Sequence, residues 1–115
     1  MIELKNLSKS YVSSFFNKNT FSVNNINISI PKGKIIGLLG ANGSGKTTIM
    51  KAICGFHYGD KGSIFISDKD ENIIDVSKYP NLVMESIGYV PEVSILPSDM
   101  TVIDFLRYSA NIHNI

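Results

Sequence analysis

The run Gly40-Ala41-Asn42-Gly43-Ser44-Gly45-Lys46-Thr47 fits the pattern G-x-x-x-x-G-K-[ST] in full. This spacing suits the binding of nucleotide phosphates. A phosphate chain needs several backbone N–H donors aimed at one point, and a glycine-rich turn lets the main chain curl closely enough to present them. Gly40, Gly43 and Gly45 supply that freedom, and the N–H groups of the turn, including those of Asn42 and Ser44, become candidate donors. A helix beginning near Lys46 adds unpaired N–H groups and the positive end of its dipole. Lys46 is expected to reach the β- and γ-phosphates as a point charge. The Thr47 hydroxyl is placed for a Mg²⁺ ion bridging those phosphates, and Thr48 for the α-phosphate. The ligand class read from these residues is ATP or a similar nucleotide with Mg²⁺.

A loop of this kind works only between a strand and a helix, and its flanks read that way. Ile35-Ile36-Gly37-Leu38-Leu39 is a continuous apolar run, predicting a central strand buried on both faces of a helix-covered parallel sheet. After the loop, Ile49, Ala52, Ile53 and Phe56 recur as one face of a helix, with Gly55 as its C-terminal stop. Upstream, Ile26, Ile28 and Ile30 alternate with Asn27 and Ser29, the period of a strand with one wet face, and Pro31-Lys32-Gly33 supplies a turn. Ser13 to Thr20, with Phe15-Phe16 among polar neighbours, reads as a flexible insertion. Downstream, Ile64-Phe65-Ile66 predicts a short strand, Ser67 to Asp70 its turn, and Ile73-Ile74 a weak return strand. Ile87-Gly88-Tyr89-Val90 predicts another buried strand, halted by Pro91. Pro97-Ser98-Asp99 reads as a loop, after which Thr101 caps a helix with the apolar face Val102, Phe105, Leu106 and Ala110.

The chain has 115 residues, 43% of them apolar, which suits one domain with an ordinary core. Eleven basic and ten acidic side chains leave a formal charge of +1, so no global field draws the protein to nucleic acid or anionic lipid. Its one cysteine, Cys54, lies in an apolar helical pattern and fits a buried small side chain in a reducing cytosol. No stretch reaches the eighteen or so apolar residues of a membrane span, so membrane association is expected to run through another chain.

Three segments together carry a family resemblance: Ile2-Glu3-Leu4-Lys5-Asn6-Leu7-Ser8-Lys9-Ser10-Tyr11, Pro31-Lys32-Gly33-Lys34 leading to the phosphate loop, and Ile87-Gly88-Tyr89-Val90-Pro91-Glu92. They resemble the nucleotide-binding domain of ABC transporters over nearly the whole chain. Leu96-Pro97-Ser98-Asp99-Met100-Thr101-Val102 is similar to the segment that leads into the helical subdomain of bacterial exporter ATPases. The resemblance implies an α/β fold of the P-loop NTPase, ABC ATPase-like type, with N-terminal antiparallel β elements and the start of a helical subdomain. Residues 1–115 would be the N-terminal part of one ATP-binding domain, truncated, with 1–95 as the β and phosphate-loop core and 96–115 opening the helical subdomain. Tyr11 matches the family's aromatic that stacks on adenine, with Phe15 or Phe16 as rivals; such stacking contributes about 1 to 3 kcal/mol. Glu92 stands where the family usually has a glutamine that contacts Mg²⁺ and the attacking water. A carboxylate can ligate Mg²⁺, yet it brings negative charge beside the γ-phosphate and donates no hydrogen bond unless protonated. Metal candidates are therefore Thr47 and Glu92, and Glu92 is the one candidate for a catalytic position.

Three family features have no counterpart in these 115 residues: a signature loop of LSGGQ type, an apolar strand ending in aspartate and glutamate, and a switch histidine. Asp75, Asp104, His57 and His113 stand in other contexts and read as solvated or capping residues. The expectation is a chain that binds nucleotide but has little means of stabilising a transition state alone. The function implied is the ATP-binding component of an ABC transporter, dimeric when complete, cytoplasmic and held at the inner membrane face by a transmembrane permease subunit, with no nucleic-acid partner. The alternatives are a truncated non-catalytic remnant and a soluble non-transport relative. The second of these calls for a tandem copy or basic arms, which the balanced charge does not offer.

Overall fold

The computed structural model describes residues 1–13, 18–93 and 97–112. Strand β1 (Ile2–Ser13) pairs antiparallel with β2 (Lys18–Ile30) on one side and β3 (Lys61–Ser67) on the other. Strand β4 (Ile73–Asp75) completes a four-stranded antiparallel sheet of order β2-β1-β3-β4. Helix α1 (Lys46–Ile53) follows the phosphate loop, while α2 (Pro80–Ser86) and α3 (Val102–Ile112) lie later in the chain.

The register of β1 explains how its apolar residues reach one core. Leu4 and Leu7 are three apart and would face opposite sides of an unbroken strand. Leu4 stands opposite Ile28 and Leu7 opposite Ile26, so β1 carries one extra residue between them. This bulge resets the phase, and both leucines are buried. Asn6, within it, has φ 51°, a left-handed conformation asparagine tolerates, and its N–H donates to Asn27 Oδ1 at 2.9 Å. A second irregularity follows at Asn25 (φ 52°), whose N–H donates to the Ser8 hydroxyl at 2.9 Å. Each displaced amide thus finds a side-chain acceptor.

One face of the sheet, through Leu4, Leu7, Val23, Ile64, Ile66 and Ile74, meets Ile49, Ala52 and Ile53 of α1 and Val83 of α2. The helical face predicted from Ile49 to Ile53 is therefore the one that packs, although Phe56 lies beyond the helix and is exposed. Gly55 ends α1 as expected: at φ 74° it lets its own N–H reach Ala52 O at 3.1 Å and the Phe56 N–H reach Lys51 O at 3.0 Å, the paired bonds of a Schellman turn. The alternation of Ile26, Ile28 and Ile30 is confirmed as half-buried positions of β2, and the weak return strand at Ile73-Ile74 is β4. Cys54 is buried, and that burial raises its thiol pKa.

Four expectations are corrected. Ile35–Leu39 forms no strand, and Ile35 and Leu39 are 101% and 93% exposed. Ile87–Val90 likewise forms no strand, with Val90 at 85%. An apolar run specifies burial on both faces only when neighbouring strands and covering helices exist, and no described strand pairs with either segment. Pairing among the described residues is antiparallel throughout. Part of the expected insertion at Ser13 to Thr20 is instead hairpin, since Ser13 pairs with Lys18 and Val12 with Asn19; Phe15 and Phe16 lie outside the described residues. Finally, α2 occupies residues for which the sequence pattern predicts no element. It is anchored by Val83, which is fully buried.

Helix α3 starts as predicted. The Thr101 hydroxyl accepts from the Asp104 N–H at 3.3 Å and donates to the Asp104 carboxylate at 2.6 Å, a reciprocal cap. None of its residues is buried, so its apolar face is formed but uncovered among the described residues.

Candidate functional site

The phosphate loop joins residues 35–39 to α1. Its first turn closes through the Ser44 N–H donating to Ala41 O at 3.2 Å. Gly43 and Gly45 take φ 80° and 96°, which a side chain would resist. Gly40 differs: its φ is not positive, and a Cβ there would stand 2.5 Å from Ser44 Oγ, which would have to turn away. Gly45 is the N-cap of α1 and offers no side-chain cap, and no acidic residue stands in the first turn. The positive end of the helix is thus uncompensated and suited to an anion.

Lys46 lies over the loop that precedes it. Its ammonium donates to Gly40 O and Ala41 O, both at 2.7 Å, so the charge is held at the loop mouth. An open cavity of about 510 Å³ is lined there by Asn42, Gly43, Gly45, Lys46, Thr47, Thr48 and Glu92. A second cavity of about 380 Å³ shares Lys46, Thr47 and Glu92 and adds Ile36, Leu38, Met50, Tyr89 and Val90. Both volumes fall in the range of ligand sites. The lining of the first cavity comes from the loop and the start of α1 with one exception, Glu92, which the fold returns to the loop from far along the chain. Thr47 and Glu92, both among its lining residues, carry hard oxygen donors, the type Mg²⁺ prefers.

Tyr11 is not on the wall of either cavity. It is 47% exposed at the far end of β1, and its hydroxyl shares a 3.3 Å hydrogen bond with His57 Nε2. His57 therefore departs from its expected solvated role. It is half-buried, and burial first, then Lys9 and Lys51, lowers its pKa. Asp75 closes a turn after β4, its carboxylate accepting from the Ser77 hydroxyl at 2.7 Å and N–H at 3.0 Å, and Asp104 accepts from the hydroxyl of Thr101, the residue that caps α3. His113 lies outside the described residues. Sequence spacing offered no signal for Asp60, whose carboxylate accepts from the Ser10 hydroxyl and N–H, both at 2.7 Å, and from Lys9 Nζ at 3.0 Å. These donors hold its pKa well below the usual carboxylate range.

A family profile described as ABC transporter matches residues 23–115, which takes in the loop, both cavities and α3. The chain belongs to the ABC transporter family. The glucosylceramide transporter ABCA12 of Mus musculus is 36% identical over 115 residues, all of this chain but 4% of that protein. The lantibiotic transport ATP-binding protein SrtF of Streptococcus pyogenes is 39% identical over 85 residues, 74% of this chain and 34% of that one. Among solved structures, an ATP-binding subunit of an ABC transporter superposes with TM-score 0.76 at 23% identity, over 100% of this chain and 43% of its own. The P-loop NTPase fold of ABC cassettes is therefore the fold of this chain, present as part of a domain. The chain spans about a third of the length of the lantibiotic relative and a small fraction of the glucosylceramide transporter.

Proposed function

We propose that this chain binds Mg-ATP as part of the ATP-binding component of an ABC transporter, whose work is to power transport through a partner permease. Support comes above all from Lys46, which the loop holds at the uncapped N-terminus of α1, facing a cavity that Glu92 also lines. In this reading the loop amides and Lys46 bind the phosphates, Thr47 and Glu92 hold Mg²⁺, and Tyr11 offers its ring to the base. Mg²⁺ would neutralise phosphate charge; the chain's own residues bind and orient. Residues 1–95 form the β and phosphate-loop core, and 96–115 open a helical subdomain.

Dimerisation of the complete domain and a transmembrane partner belong to the same proposal. One structural relative is a dimeric ATP-binding cassette in a post-hydrolysis state with ADP and Pi, aligned with TM-score 0.61 at 24% identity over 74% of this chain and 34% of its own. No described helix is long and apolar enough to cross a membrane. A cytoplasmic position at the inner membrane face would then depend on the permease. The relatives include a ribose import protein and a lantibiotic transport protein, so the proposal leaves direction open rather than assigning export.

The test is calorimetric titration of the chain with Mg-ATP, ADP and inorganic tripolyphosphate. Saturable binding of all three, with Mg²⁺ strengthening the triphosphates, is expected. No saturation by any of them at concentrations on the order of millimolar would remove the proposal.

A further inference from the structure

Helix α1 begins at the phosphate loop, and the chain leaving its other end, residues 54–60, closes on β1 around Tyr11. Three contacts make this closure. The Asp60 N–H donates to Ser8 O at 2.8 Å, its carboxylate takes the Ser10 N–H and hydroxyl, and His57 meets the Tyr11 hydroxyl. The rings of Tyr11 and His57 are edge to face, 89° apart with centroids at 6.3 Å. The histidine meets the tyrosine at its hydroxyl, and Lys9 Nζ lies over one face of the ring, 5.8 Å from its centroid, while Tyr11 as a whole stays exposed.

We infer that His57 is a positioning residue for Tyr11, holding the aromatic ring in place to receive the nucleotide base. This rests on the reading of Tyr11 as the base platform. An exposed aromatic at a strand end has two side-chain torsions to lose on stacking, and fixing its hydroxyl beforehand removes part of that cost from binding. A neutral imidazole can either accept from or donate to the phenol, so the contact survives in either tautomer. The other ring nitrogen, Nδ1, is buried with no side-chain partner among the described residues, an arrangement that disfavours rather than supports stability. Because α1 is eight residues long, about 12 Å at 1.5 Å per residue, one short rigid element sets the phosphate loop at one end and the Tyr11 brace at the other.

The experiment compares ATP and inorganic tripolyphosphate affinities in the unmodified chain, Tyr11→Ala, His57→Phe and His57→Gln, with a thermal melt of each. His57→Phe keeps the ring edge, loses the hydrogen bond and removes the unpaired nitrogen. It should weaken ATP about three- to tenfold, the range of one hydrogen bond, leave tripolyphosphate unchanged and not lower the melting temperature. His57→Gln, which can still donate or accept, should recover most of the ATP affinity. The inference is overturned if His57→Phe leaves ATP affinity intact while Tyr11→Ala loses it, because the platform then needs no brace. It is overturned equally if His57→Phe weakens both ligands alike, which marks a structural role. If Tyr11→Ala spares ATP relative to tripolyphosphate, the platform reading itself fails and takes the positioning role with it.

Discussion

Replacing Lys46 with alanine tests the phosphate loop most directly. In the free chain the ammonium makes two hydrogen bonds of 2.7 Å, to Gly40 O and Ala41 O, and both are exposed. Those carbonyls can turn to water when the side chain is cut, so the loss of fold stability should stay under about 1 kcal/mol and the melting temperature should fall by no more than about 5 °C. Binding should respond differently. A phosphate oxygen entering the cavity replaces a neutral carbonyl with a charged acceptor, and a charge-assisted contact of that kind is worth about 2 to 3 kcal/mol. At 1.4 kcal/mol per tenfold, Lys46→Ala should weaken Mg-ATP about 30- to 150-fold. Tripolyphosphate should lose the same factor, since the lysine reads phosphate and not base. Calorimetry, or NMR titration if binding is weak, measures both ligands. Unchanged affinity in a variant that melts normally would refute the assignment, and a large drop in melting temperature would show that Lys46 builds the loop instead.

Glu92→Gln should have opposite effects on two quantities: lower Mg²⁺ affinity, and several-fold tighter binding of metal-free ATP as one negative charge leaves the cavity wall, both read by titration with and without EDTA. Gly62→Ala should destabilise the fold by more than about 2 kcal/mol in denaturant unfolding, because φ is 89° and a Cβ would stand 2.5 Å from the backbone oxygens of Asn6 and Lys5. Acid should act in two steps. Burial, then Lys9 and Lys51, lowers the His57 pKa, so the unfolded chain takes up its proton first and stability falls as pH drops below about 6.5; His57→Gln should flatten that step in melting curves. Asp60, lowered by Ser10 and Lys9, keeps its contribution above the ordinary carboxylate pKa and loses it as pH falls below about 4, a step that Asp60→Asn should remove. Purified residues 1–115 should bind nucleotide weakly, release phosphate only at background rates and tend to associate through the exposed Ile35 to Leu39 segment. Turnover abolished by Lys46→Ala would contradict that.

The glycine turn at Gly40 to Gly45, α1 with its glycine stop, the alternating β2 and the Thr101 cap were all legible in sequence, because each depends on interactions within a few residues. Local spacing decides whether a loop can curl, whether a helix has an apolar face and whether a hydroxyl can cap. The apolar run at Ile35–Leu39 shows where that reasoning stops: its composition specifies a buried strand, but a strand is made by its neighbours, and no described strand pairs with it. The same limit explains why the core of β1 escaped a simple period, since Leu4 and Leu7 share a face only through a bulge set by pairing with β2. Glu92 and Thr47 were paired beforehand only through the family resemblance, whereas His57 with Asp60 around Tyr11 was a matter of tertiary structure alone. These partners lie roughly forty to fifty residues apart in the chain, and only the folded chain brings them within reach.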